Sequence, residues 1–140
     1  MEGGIIMKRK TFLLTAAITV FLSVGVFAAT GTERTWSASL PHDHGNVYFA
    51  IRDKETNEKK GTVKATKLAG TPGINAWFNT GSHKSPKRIT DIAGVTTTNV
   101  IYDVRYQSHS TKGTNVFLGI EDKEDTLIIN NDAAGTVNYK

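Results

Sequence analysis

Cysteine is absent from the 140 residues. Its absence removes disulfide frameworks, thiol nucleophiles and the acylated cysteine of a lipoprotein leader together. Two catalytic signatures are missing as well. There is no Gly-x-Ser-x-Gly elbow and no His-Glu-x-x-His zinc motif. Beyond residue 28 no stretch spaces its apolar residues as a helix would over three turns, which argues against a helical bundle. Internal repeats and linker-like stretches are missing too, so nothing divides the chain after its leader. Strong charge is also lacking. Of 17 basic and 13 acidic residues, Lys8, Arg9, Lys10 and Glu2 lie in the first 28, so the remainder carries only +2. A nucleic-acid binder would need a far more basic surface.

What is present begins with an export signal. Lys8, Arg9 and Lys10 form a basic n-region, followed by an uncharged, mostly apolar run over residues 11–28. Val26-Phe27-Ala28 suits a signal peptidase, so residues 1–28 are predicted to be a helical signal peptide cleaved after Ala28. The alternative is an uncleaved anchor, since the run approaches the ~20 residues a membrane helix needs. Met7 offers a second possible start. No sortase-type motif or C-terminal apolar tail is present, so secretion into the medium or loose retention at the cell wall is expected, without a stable membrane anchor. Removing the leader leaves residues 29–140. These 112 residues suffice for one domain that buries about two-thirds of its surface without disulfides.

Period-2 alternation runs through that domain. In residues 99–106, Val100, Tyr102, Val104 and Tyr106 share one face, while Asp103 and Arg105 share the other. Val116, Leu118 and Ile120 repeat the pattern after a polar turn containing Gly113. The two segments are therefore expected to form a central antiparallel hairpin. Further strands are expected at residues 35–40, 46–53, 62–67, 74–79, 126–130 and 135–139, with a weaker pair within 88–98. Loops are expected at 54–60, 81–87 and 121–125, and a turn at 131–135. In residues 74–79, Ile74, Ala76 and Phe78 oppose Trp77. The fold class is all-β: an antiparallel sandwich of about seven to nine short strands, with a small closed barrel as the alternative.

Candidate sites are sparse. His42 and His44, one residue apart, would point to the same side of an extended segment and could begin a metal site, with His83 and His109 as distant completions. Against that, four solvated loop histidines explain the same residues. Glu121, Asp122, Glu124 and Asp125 supply hard oxygens but do not fit a twelve-residue calcium loop. The basic stretch His83, Lys84, Lys87 and Arg88, close in sequence to Trp77, suits an anionic cell-wall polymer or a sugar stacked on the indole. Phe117 and Ile101 fall opposite the apolar faces of their segments, either covered by a neighbouring strand or forming a contact patch. A carboxylate pair for glycoside cleavage has no signature in sequence, and a thin sandwich leaves little room for a deep site.

The order of segments resembles an uncharacterised family of small secreted proteins from Bacillus-type Gram-positive bacteria. The likeness lies in the signal, Phe49-Ala-Ile51, Asn75-Ala-Trp77, the run from Gly113 to Glu121 and Gly135-Thr-Val137. It implies secretion and a β fold, and it carries no functional residue. The expectation is a monomeric, cofactor-free binding module for cell envelope or extracellular polymer. The alternatives are a bacteriocin-like antagonist and a small extracellular hydrolase.

Overall fold

Alternation decides the two faces of each long strand, and a computed structural model shows how those faces meet. It describes residues 31–41, 44–124 and 131–140. The expected leader 1–28, its cleavage point, His42 and the expected strand 126–130 lie outside the described residues. Ten strands run β1 (Arg34–Leu40), β2 (Val47–Tyr48), β3 (Arg52–Asp53), β4 (Lys60–Ala69), β5 (Ile74–Ser82), β6 (Ser85–Arg88), β7 (Ala93–Val95), β8 (Ile101–Arg105), β9 (Asn115–Asp122) and β10 (Asn131–Asn138). No helix among the described residues is long and apolar enough to cross a membrane.

The strands form two antiparallel sheets, a four-stranded one in the order β1-β10-β4-β8 and a six-stranded one. In the latter, β9 and β5 lie at the centre, β2 and β3 flank β9, and β6 and β7 flank β5. Along one side the sheets touch. Thr90 bridges Tyr106, and Gln107 N–H donates to the Ile89 carbonyl at 2.8 Å. The described strands form a sandwich and do not close into a barrel.

The inner faces make the core. Ile74, Ala76 and Phe78 of β5 and Val116, Leu118 and Ile120 of β9 pack against residues of the other sheet, among them Trp36, Val63, Val104 and Val137. Burying side chains of this size contributes roughly 1.5–3 kcal/mol each before ordering costs. Phe78 anchors an aromatic cluster, 5.6 Å from Tyr106 and 5.1 Å from Tyr139, ring centre to ring centre. Trp36 lies over Gly135, where any β-carbon would fall 2.7 Å from the indole. A side chain at that position would also run into the Lys64 carbonyl and force β10 away from β4 within their sheet.

The expected central hairpin does not form. β8 pairs with β4 in one sheet, and β9 pairs with β5 in the other. Residues 106–114 therefore cross between layers. Both segments keep their alternation and still face one core, but from opposite sides. The segment expected as an exposed hairpin loop, residues 54–60, is a second crossing. It runs beside the first, with Lys54 N–H donating to the Thr114 carbonyl at 2.9 Å and Gly113 N–H to the Lys54 carbonyl at 2.8 Å. Lys54 itself is buried. Its ammonium donates to the Thr56 carbonyl at 2.8 Å and to the Lys140 backbone oxygen, and it lies 4.7 Å from the Tyr106 ring centre.

Two further expectations change for local reasons. The strand expected over residues 46–53 breaks into β2 and β3, because one extra residue sits between their pairings with β9. That bulge reverses the phase and leaves Ile51 exposed beyond it. The turn expected over 131–135 is instead the start of β10, whose small residues Ala133 and Gly135 fit the close approach of β1 and β4.

Candidate functional site

The polar, aromatic side of the six-stranded sheet faces away from the core. β5 presents Asn75, Trp77 and Asn79 there, and β9 presents Phe117, Gly119 and Glu121. Pairing of Trp77 with Gly119 and of Asn79 with Phe117 brings these side chains into one layer. The expected loop 81–87 is in fact the end of β5, a tight turn at His83-Lys84 and most of β6. Its register sets Arg88 opposite Asn79 and Pro86 opposite Gly81.

These elements enclose a cleft of about 280 Å³ lined by Asn46, Tyr48, Trp77, Asn79, Pro86, Arg88, Ile92 and Glu121. Trp77 forms its floor. The indole lies across Gly119, where a β-carbon would meet Trp77 Cε2 and Nε1 and Asn79 Nδ2, each at 2.8 Å. Trp77 Nε1–H donates to Asn79 Oδ1 at 3.0 Å. An indole nitrogen only donates, so this bond fixes which end of the Asn79 amide is oxygen. The other end, Nδ2, is buried and has no hydrogen-bond partner among the described residues. Leaving such a donor unpaired costs about 1–3 kcal/mol. Unspent buried donors of this kind call for an explanation.

The rim carries opposite charges. Glu121 Oε1 accepts from Asn75 Nδ2 at 2.9 Å, which orients the carboxylate. Arg88 forms no ion pair among the described residues. Asn46 Nδ2 donates to the Tyr48 hydroxyl at 3.0 Å, and both residues line the cleft. Beside the cleft, Tyr48 and His83 stack at 6.1 Å and cover Phe117, which they meet edge-on at 5.7 and 4.9 Å. His83 Nε2–H donates to the Phe49 carbonyl at 2.9 Å, fixing the ring.

Of the residues expected to bind, Trp77 and Arg88 line the cleft and His83 borders it. Phe117 is fully buried on this outer face, so it supports the layer and offers no contact patch. Lys84 sits at the hairpin tip, and Lys87 alternates to the side opposite Arg88. Both are exposed. Asn46, Tyr48, Asn79, Pro86, Ile92 and Glu121 also belong to the cleft, and the sequence pattern does not single them out for it. Single polar residues on a strand read as ordinary solvent-facing positions, and only pairing brings them together.

The described histidines are dispersed. His44 Nδ1–H donates to the Asp122 carbonyl at 3.3 Å, while His109 Nδ1 meets Ser108 Oγ at 2.8 Å. No group of three or more metal-binding side chains gathers among the described residues. Asp122, expected in a solvated acidic loop, is buried. Its carboxylate accepts from Thr71 Oγ1 at 2.7 Å, from Glu124 N–H at 3.1 Å and from Asn131 Nδ2, and it holds the end of β9 in place. Elsewhere, burial pushes the Lys54 ammonium down, with Glu58 opposing. Burial pushes the Tyr106 phenol up, assisted by Tyr139. Both groups belong to the core end of the sandwich and not to the cleft.

No protein-family model matches this chain, and no curated protein and no solved structure was found to match it.

Proposed function

We propose that this chain is a secreted, non-catalytic binding module that holds cell-envelope or extracellular polymer against the outer face of its six-stranded sheet. The observation that carries this reading is a shallow cleft lined by Arg88, Glu121 and Asn79, the last with a buried Nδ2 that has no hydrogen-bond partner among the described residues. A ligand group completes that set of donors and acceptors. Among the described residues Glu121 is the single carboxylate lining the cleft, which favours binding over cleavage by a carboxylate pair. The export signal expected in residues 1–28 supports a ligand outside the cell.

Lys84 and Lys87 support a second contact. Both are exposed beside Arg88 on one short hairpin, without ion pairs among the described residues, and suit an anionic wall polymer passing over the hairpin tip. Co-sedimentation of the purified protein with Gram-positive cell walls tests both contacts. Pelleting that survives high salt assigns retention to the cleft, whereas pelleting abolished by salt assigns it to the lysines. Absence of pelleting at either salt overturns the reading. A zone of growth inhibition around the protein would mark an antagonist instead.

A further inference from the structure

Resting on the polymer-binding reading, we infer that the cleft takes an N-acetylated hexosamine unit of such a polymer. An acetamido group combines one acceptor, one donor and one methyl group. The cleft offers a counterpart to each. Asn79, which lines the cleft, holds in Nδ2 a buried donor without a partner among the described residues. Among the described residues Glu121 accepts only from Asn75, through Oε1, so its second oxygen can accept an N–H. Pro86 and Ile92 form an apolar wall, and Ile92 is 46% exposed although it is a large aliphatic residue.

Charge argues in the same direction. Arg88 and Glu121 balance one another at the rim, so an uncharged sugar meets a neutral site. A phosphodiester there would face the Glu121 carboxylate. Size agrees as well. About 280 Å³ lies at the small end of ligand sites, room for one substituted sugar ring and not for an extended chain. Trp77 is only 6% exposed, so it serves as a floor and spends its N–H within the protein. Selectivity therefore rests on hydrogen bonds from Asn79, Glu121, Arg88 and Asn46 more than on stacking against an open indole face.

Two soluble probes that differ only at C2 test this: chitotetraose, with an acetamido group on each ring, and cellotetraose, with a hydroxyl. The readouts are tryptophan fluorescence and calorimetric titration of the purified protein. Chitotetraose is expected to bind at least about tenfold more tightly than cellotetraose, the loss expected when buried polar partners go unmatched. Glu121→Gln and Ile92→Ala, both at the rim, are expected to keep the fold and weaken chitotetraose about tenfold and about threefold respectively. Asn79→Ala should abolish the preference, and the rim variants keep the test valid if loss of the Trp77 acceptor unfolds that protein. Equal binding of the two probes, or binding of neither while cell walls still pellet the protein, overturns the acetamido assignment and leaves the polymer reading intact. Failure of both probes and walls overturns both.

Discussion

Trp77 and Asn79, two residues apart on β5, are joined by a 3.0 Å hydrogen bond from the indole nitrogen to the amide oxygen, on the face of the sheet that turns away from the core. The bond locks both side chains in one plane over Gly119. It also leaves the amide nitrogen of Asn79 packed over Gly119, without a hydrogen-bond partner among the described residues. A strand that alternates apolar and polar residues would ordinarily leave this face to water. Here it carries a second buried layer.

The absence of a side chain at Gly119 makes that layer possible. Gly119→Ala is expected to destabilise the protein by about 1–3 kcal/mol, the usual cost of overpacking, because its β-carbon falls 2.8 Å from both Trp77 and Asn79. Urea denaturation would show the loss, and the tryptophan emission maximum should shift as the indole is displaced. An unchanged midpoint with unchanged emission would contradict the packing described.

Phe117 and Ile101 occupy equivalent positions by alternation, each opposite the apolar side of its strand, yet their surroundings differ. Phe117 is fully buried beneath Tyr48 and His83, while Ile101 is 64% exposed. Phe117→Ala should therefore cost about 3–5 kcal/mol, and Ile101→Ala less than about 0.5 kcal/mol. Chemical denaturation of the two variants side by side measures the difference. Similar losses would refute the placement of one of them.

Tyr139 links the two sheets. Its hydroxyl oxygen accepts from the Leu118 N–H at 3.1 Å, and its backbone carbonyl accepts from the Tyr106 hydroxyl at 3.0 Å. Burial pushes the Tyr139 phenol up to about 12 from 10, against the opposing Leu118 hydrogen bond and the charges of Arg52 and Arg34. The folded chain thus keeps a proton that the unfolded chain has released. Its stabilising contribution is complete below pH 10 and is lost as pH rises through about 12, a fall of about 2–3 kcal/mol. Tyr106 acts in the same sense. Lys54, held low by burial, acts in the opposite sense at lower pH, so the readout is the comparison with Tyr139→Phe. That variant should start about 1–3 kcal/mol less stable, from the unpaired Leu118 N–H, and lose less between pH 10 and 12. Equal slopes would remove Tyr139 from the account.

Much of the local structure was legible beforehand. Ile74, Ala76 and Phe78 face the core and Trp77 faces away, as the alternation of that segment requires. Val116, Leu118 and Ile120 do the same. Trp36 and Leu40 turn inward from β1. Of the site, the aromatic floor and one basic residue were recognisable as residue types, because a tryptophan opposite an apolar face and a charge cluster beside it are unusual on a strand.

Alternation alone dictates the all-β class and the face on which most strand side chains stand, since both follow from period-2 geometry acting over a few neighbouring residues. Which strands pair is a different kind of question. Val104 on β8 and Val116 on β9 are close in sequence and carry matching patterns, yet they stand in opposite sheets. β4 and β5 offer them longer partners than they offer each other, and a competition between distant edges leaves no mark in local spacing. The same holds for the cleft. Asn79, Arg88 and Glu121 come from three strands, and only the register of β6 and β9 against β5 sets them around one space.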